Sequence, residues 1–490
     1  MAIRDHLVLF VNGKRREVHG SDCFLSLSDF LRYRLGLTGT KIVCSEGDCG
    51  SCTVLVGTAN AGSVRYLPID SCIRFMFQLD GSHVVTIEGL ADTSGNGDLT
   101  SIQQAMVECH GSQCGFCTPG FVMAMTGTCE ENSGRQLTEG DWRHALAGNL
   151  CRCTGYTPIL KAATQAAGEN YAKLNSLYPP AARLKELEAL AQDTLDLHGK
   201  FGGTQRRAFC PGSLDEAVAF RRDQPQAKVV AGATDVGVQL NKHAIEPTVF
   251  LDLNRVAELE GAELVASDDR PRTIVAGARS TWTEVLALCQ ERVPEFAEII
   301  SIFGSPQIRH VGTIGGNIIN ASPIADSLPF LIVVEAELEL AGPAGRRTVN
   351  INDFYQGYKK FDLRPDELLA KVHIPLPASD DLLRLYKVSR RRDLDIATFT
   401  AAIRMRLDGD AIVEAALAYG AVGPTVIRLR RTEEFLVDRP FAEETMRQAG
   451  DVAADEITPI SDVRGGKDYR YQLARNVLLK FYHQQQLATV

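Results

Sequence analysis

Cys44-Ser45-Glu46-Gly47-Asp48-Cys49-Gly50-Ser51-Cys52 puts three thiols into nine residues, and Cys72 follows at a distance. The C-x4-C-x2-C spacing is that of plant-type [2Fe–2S] sites. Irons and thiolates together carry net negative charge, so the loop must wrap closely and aim backbone N–H groups at sulfur. Gly47 and Gly50 permit that approach and the positive φ it demands. Structural zinc is the other use of clustered thiols, but it favours paired C-x2–4-C knuckles, which this triplet fits poorly. Cys44, Cys49, Cys52 and Cys72 form the first candidate ligand set.

Of the 13 cysteines, ten lie between Cys44 and Cys153. Disulfide frameworks belong to oxidising compartments and small secreted domains. This chain has 490 residues and opens on MAIRDHLVLFVNGKRRE, which has no cleavage site of the signal-peptide kind. The expectation is a cytoplasmic chain whose thiols bind metal. Cys114-Gly115-Phe116-Cys117 and Cys151-Arg152-Cys153 make a second set of four. Thr118-Pro119 and Thr157-Pro158 read as N-caps followed by proline at the first helical position. Two converging helix N-termini, each partially positive, suit an anionic cluster in a two-fold-like helical bundle. Spacing alone leaves zinc open for this second set; a neighbouring redox centre argues for iron–sulfur. Cys23, Cys109, Cys129, Cys210 and Cys289 read as buried small apolar residues.

Apolar residues at 45% and charged residues at 23% mark a globular chain, long enough for about two to five units. A net charge of −9 speaks against general nucleic-acid binding, and no apolar run reaches the ~18 residues of a membrane span. Residues 6–10 and 15–18 read as strands joined by an Asn12-Gly13 turn. Strands are also expected at residues 53–56 and 84–87, and a boundary at the Gly/Asp/Ser/Asn stretch 91–97. Residues 101–173 look helical, and residues 174–200, charged and carrying Pro179-Pro180, read as a surface linker without strand pattern. Strands and helices alternate from residue 201 to about 377, and the last 110 or so residues pair strand-like runs with a C-terminal helix. Trp142 and Trp282 read as packing residues, and the ten histidines show no metal-ligand spacing.

Two glycine-rich stretches stand out beyond the cysteines. Lys228-Val229-Val230-Ala231-Gly232-Ala233-Thr234-Asp235-Val236-Gly237 is a strand running into a small-residue turn, able to offer N–H groups to a pyrophosphate. Val311-Gly312-Thr313-Ile314-Gly315-Gly316-Asn317, with Ser322 and Asp326 beyond it, offers glycines, hydroxyls, an amide and a carboxylate. No G-x-G-x-x-G is present, so a Rossmann dinucleotide site is not indicated.

CSEGDCGSC, GSQCGFCTPGF and AGNLCRCTGY together resemble the iron–sulfur half of the molybdenum hydroxylases, the family of xanthine dehydrogenases and aldehyde oxidases. The resemblance implies one [2Fe–2S] cluster on Cys44, Cys49, Cys52 and Cys72. It implies another, nearer the molybdopterin, on Cys114, Cys117, Cys151 and Cys153, with Gln113 facing the pterin. Val43 stands where the family more usually has glycine, a departure that removes no ligand. The two glycine-rich stretches resemble the FAD loops of vanillyl-alcohol-oxidase-type flavoproteins. This implies FAD contacts from Val229, Val230, Ala231, Gly232, Ala233, Thr234, Asp235, Val236, Thr313, Ile314, Gly315, Gly316, Asn317 and Asp326, with phosphates held by backbone N–H groups at both turns. Phe303, Leu369 and Lys387 would add flavin contacts, and Asp235 and Tyr358 would lie near NAD.

The expected architecture is multidomain α+β. A β-grasp ferredoxin-like domain occupies residues 1–90 and a four-helix iron–sulfur domain 91–173; 174–200 is the linker. A two-part α+β FAD-binding domain spans 201–380, and a C-terminal α+β flavoprotein domain 381–490. No stretch is left for a molybdopterin domain, so hydroxylation is expected on a large partner subunit, in an α2β2 heterotetramer, with no catalytic residue for it on this chain. The expected role is electron transfer in xanthine oxidation, from the partner through two clusters and FAD to NAD+. The alternatives are a related aldehyde or N-heterocycle hydroxylase, a self-contained NAD(P)H–ferredoxin-type flavoprotein, and a non-redox zinc scaffold.

Overall fold

A computed structural model describes residues 3–90, 99–132, 135–166, 173–191, 193–201, 203–267 and 270–488; the boundary expected at 91–97 falls outside them. The chain forms two compact units, one of Met1–Ala257 with Gly304–Gly312, the other of Glu258–Phe303 with Thr313–Val490. The stretch expected to bind FAD is therefore divided between them.

In the first unit a mixed five-stranded sheet runs in the order Lys14–His19, His6–Val11, His83–Val85, Thr53–Asn60, Ser63–Asp70. Its first hairpin turns through Asn12 and Gly13, both at positive φ (49° and 76°), with Val11 opposite Lys14. That is the tight turn expected of Asn-Gly. Four helices follow, Ser101–Glu108, Thr118–Glu131, Glu139–Ala145 and Thr157–Ala166. Trp142, fully buried, packs in their core. Two helix starts differ from expectation. Cys117, not Thr118, is the N-cap of Thr118–Glu131 and makes no side-chain cap, and the Thr118 hydroxyl donates instead to Ser112 Oγ at 2.9 Å. Thr157 is already inside its helix. Real caps occur at Thr100 and Thr138, each closing a capping box.

The expectation of a strandless surface linker over 174–200 is corrected. Leu174–Leu177 and Leu184–Leu190 are helical, and Thr194–Phe201 is a strand. Leu195 and Leu197 on that strand are fully buried. It pairs with Ile3–Arg4 and with Thr204–Cys210 in a second sheet completed by Val249–Asp252 and Lys228–Val230. Its alternation, Thr-Leu-Asp-Leu-His, is a half-buried strand pattern that the charged stretch before it obscures. Phe24, Phe77 and Phe250 meet between the two sheets, with ring centroids 5.4–6.4 Å apart; burying each contributes about 1.5–3 kcal/mol. Asp80, almost fully buried, accepts from Arg4 at 2.6 Å, Arg255 at 2.7 Å and the Val8 N–H at 2.7 Å. Together these contacts hold the N-terminal strands and the residue 249–257 region in one body.

The second unit holds an antiparallel sheet of Ala262–Ser267, Arg270–Gly277, Leu368–Pro375, Glu337–Gly342 and Gly345–Asn350. A second sheet of Leu382–Val388, Phe399–Asp408, Ala411–Gly420 and Ile427–Arg428 shares its core with the helices Glu443–Asp455 and Lys467–Ala488. Trp282 is buried, as expected. Among the described residues no helix is long and apolar enough to cross a membrane.

Candidate iron–sulfur and flavin sites

The four thiols of the first set converge. Cys44 is hydrogen-bonded to the thiols of Cys49 and Cys72, which hold it well below the ordinary thiol range, and Cys72 also meets Cys52. Backbone N–H groups of Glu46 and Asp48 reach the Cys44 sulfur, and that of Ser51 reaches Cys49. Gly47 and Gly50 sit at positive φ (72° and 66°), and a Cβ on Gly50 would come within 2.3 Å of the Gly148 carbonyl. Four soft donors, N–H groups on sulfur and a close-packed glycine loop fit a [2Fe–2S] group. Val43 is exposed, so its departure from glycine leaves the ligand set intact.

The second set also comes together. Cys114 and Cys153 sulfurs are 3.5 Å apart, and Cys117 hydrogen-bonds Cys151. The Phe116 N–H reaches Cys114, and those of Cys153 and Thr154 reach Cys151. Partial burial pushes the Cys117 thiol up to about 12. Cys114 and Cys153 are exposed, as are Gln113, Phe116 and Tyr156 around them. This donor set fits a cluster as well.

A direct link joins the two loops. The Leu150 N–H, one residue before Cys151, donates to the Cys49 carbonyl at 3.0 Å, and Asn149 Nδ2 donates to the Gly50 carbonyl at 3.0 Å. Gln307, almost fully buried, donates in turn to Asn149 Oδ1 at 2.9 Å. Sequence reading gave neither amide a role: Asn149 lies in the AGNLCRCTGY motif, two residues before Cys151, where only the thiols were read, and Gln307 lies far from any cysteine motif. Asp70 was missed as well. It is buried beside the first set, 3.7 Å from Cys52 Sγ, and burial pushes its carboxyl up to about 7.

The two glycine-rich turns differ. In the first unit, Ala233 has φ 62°, and a Cβ on Gly232 would come within 2.1 Å of the Val311 carbonyl. The N–H groups of Gly232, Ala233, Thr234 and Asp235 donate to no backbone acceptor among the described residues. A turn with free amides and no room for a side chain fits a phosphate. In the second unit the amides are already used: Ile314 N–H donates to Ser280 O, Gly315 to Ala278 O, Gly316 to Thr313 Oγ1 and Asn317 to Thr313 O, at 2.9–3.1 Å. At Gly315-Gly316 helix capping and a close approach to Ala278 thus engage the backbone within the protein itself. The second unit instead offers Asp326, whose carboxylate accepts from buried Lys387 at 2.7 Å while its Oδ1 stays buried without a partner. Burial raises the Asp326 carboxyl and Lys387 restrains the rise. An orphaned buried oxygen suits a ligand hydroxyl or amide. Phe303 stacks edge-on against Trp282 at 5.0 Å, Leu369 is buried in the sheet core, and Tyr358 is exposed.

Two thiolate tetrads joined by a hydrogen bond, with a phosphate-type turn packed in the same unit, define an iron–sulfur flavoprotein. The comparisons agree. The "2Fe-2S iron-sulfur cluster binding domain" matches residues 9–68 and the "[2Fe-2S] binding domain" 86–164. The "FAD binding domain in molybdopterin dehydrogenase" matches 201–377 and the "CO dehydrogenase flavoprotein C-terminal domain" 384–485. Xanthine dehydrogenase of Drosophila subobscura is 31% identical over 97% of the chain, and aldehyde oxidase 1 of Bos taurus 29% over the same share. The chain spans 39% of the length of each. Among solved structures, carbon monoxide dehydrogenase from Hydrogenophaga pseudoflava is 30% identical with a TM-score of 0.53, covering 56% of this chain and 94% of that one. Quinoline 2-oxidoreductase from Pseudomonas putida 86 gives 29% and 0.51 over the same shares. The chain belongs to the molybdenum hydroxylase family of oxidoreductases, as an iron–sulfur and flavin part.

Proposed function

We propose that this chain is the electron-transfer subunit of an NAD-dependent xanthine dehydrogenase, working with a molybdopterin-bearing large subunit. The observation that carries the reading is the contrast in burial between two thiolate sets that touch through the Leu150 to Cys49 hydrogen bond. When bound, the clusters and FAD supply a relay of single electrons from the second set through the first to a flavin that passes hydride to NAD+.

The chain's own residues do the positioning. Cys114, Cys117, Cys151 and Cys153 hold the entry centre at the surface, where Gln113, Phe116 and Tyr156 offer an amphipathic rim to the partner. Cys44, Cys49, Cys52 and Cys72 hold the second centre away from water. The free amides of residues 232–235 bind a flavin phosphate, and the Asp326–Lys387 pair offers a separate flavin contact. Exposed Asp235, whose carboxylate accepts from Gln239, and exposed Tyr358 are each proposed as nicotinamide-nucleotide contacts. The purine reading is supported by a xanthine dehydrogenase that matches 97% of the chain at 31% identity; aldehyde oxidase 1 matches the same share at 29%, which makes a related aldehyde hydroxylase the second reading.

The isolated chain should oxidise NADH with an artificial dye and should hydroxylate purines only once a molybdenum-bearing partner is added. Asp235→Ala should lose the NADH–dye reaction with FAD retained. Purine hydroxylation by this chain alone, free of molybdenum, would overturn the assignment.

A further inference from the structure

The short helix Val236–Asn241 follows the phosphate-type turn and ends against the first thiolate set. Its approach is close: a Cβ on Gly237 would lie 2.6 Å from the Ile73 carbonyl. At its last residue, Asn241 Nδ2 donates to two carbonyls, Ser45 O at 2.9 Å and Cys72 O at 2.8 Å. Those carbonyls belong to opposite ends of the ligand set, one beside Cys44 and the other on Cys72 itself. Lys242 continues the contact, donating to Cys44 O at 3.2 Å and pairing with Glu46 at 3.3 Å.

The Ser45–Glu46 peptide explains what Asn241 does. A trans peptide is planar, with its C=O and N–H on opposite sides. Its C=O, on Ser45, is the acceptor of Asn241 at 2.9 Å, and its N–H, on Glu46, is a backbone group acting on the Cys44 sulfur. Fixing the carbonyl fixes the direction of the N–H. The loop needs such a restraint, because Ser45 is a non-glycine residue at φ 56°, in the disfavoured left-handed region. Hydrogen bonds to cluster sulfurs stabilise the more negative, reduced form and are a principal lever on potential.

We propose that Asn241 is a positioning residue of the first [2Fe–2S] centre: it locks the Ser45–Glu46 peptide so that its N–H is aimed at Cys44, and thereby raises the reduction potential of that centre. The proposal rests on the cluster reading above. It means that the ferredoxin-like stretch does not complete its own site; a side chain about 170 residues further along the chain does.

The test uses the full chain with its cofactors, in EPR-monitored redox titrations that follow the two clusters separately. Asn241→Ala and the near-isosteric Asn241→Asp should lower the midpoint potential of the first cluster and move its g values, the aspartate more than the alanine. The second cluster's signal and the flavin content should match the wild type. Loss of iron from the first set alone in either variant would support the same role. Unchanged potential and g values of the first cluster in both variants, or equal changes in both clusters, would overturn it. Wild-type protein without iron would instead break the cluster reading itself, so the two failures are distinguishable.

Discussion

Three of the four thiols in the first set, Cys49, Cys52 and Cys72, are buried, whereas in the second set Cys114 and Cys153 are exposed and none is buried. The first set draws its thiols from the loop before Thr53–Asn60 and from the short turn after Ser63–Asp70, and Ile73, Val238 and Ile308 pack against them. The second draws all four from loops leading into helices at the surface of the bundle. Two sites of one chemistry are thereby given different surroundings. An exposed centre can meet another protein and a shielded one can hold its electron; solvent exposure is itself a lever on potential.

The comparison breaks most sharply if the sets are not independent. Cys49→Ser and Cys117→Ser should each remove about half of the iron and labile sulfide, and each should abolish a different one of the two EPR signals of the reduced protein. Loss of both signals from either variant would show a single coupled site. The next effect concerns the turn packed beside the buried set. Gly232→Val places side-chain atoms against the Val311 carbonyl and should lower FAD occupancy about tenfold or more, whereas Gly316→Val, whose Cβ meets only the Thr313 hydroxyl, should lower it much less. Flavin absorbance per chain after gel filtration decides between the two turns.

The exposed set should be the one that a partner covers. Phe116→Asp should weaken binding of the molybdenum-bearing subunit by ~2 kcal/mol, about thirtyfold, with both EPR signals retained; titration calorimetry with the purified large subunit measures it. The smallest effect lies in the sheet next to the first set. His83 is fully buried, with Nε2 accepting the Gly13 N–H at 3.0 Å and Nδ1 therefore donating to Tyr66 Oη at 2.7 Å, and burial lowers its pKa to about 3. A histidine depressed in the folded state takes up its proton on unfolding. Its contribution is complete above pH 6.5 and is lost as the pH falls towards 3, at up to ~1.4 kcal/mol per pH unit. Denaturant midpoints followed by the first cluster's signal should fall between pH 7 and 5, and His83→Gln should flatten that slope.

The two cysteine sets were legible because cluster chemistry writes its spacing into a few consecutive residues. The Asn12-Gly13 hairpin was legible for the same local reason. The strand Thr194–Phe201 was not, because its pairing with Ile3–Arg4 joins residues nearly 200 apart and its two buried leucines follow a charged helix. The threonines at 118 and 157 were misread as caps because Thr-Pro is a correct local signal for a helix start but does not fix the boundary residue; before Thr118 the cap position falls to Cys117, whose own backbone is already in the right-handed helical region. The glycines at 315 and 316 signalled a close approach, and the approach is to Ala278 and a capping threonine.

By itself the sequence determined the two sets of four cysteines, the order of iron–sulfur and flavin parts, and the first hairpin, since each depends on residue types at short separations. Only the tertiary structure decided which set is buried, which glycine turn keeps its amides free, and which distant side chains complete the first site. Burial and hydrogen-bond satisfaction belong to surfaces brought together by folding. Asn241 meets Cys72, and Gln307 meets Asn149, only because packing closes loops of well over a hundred residues.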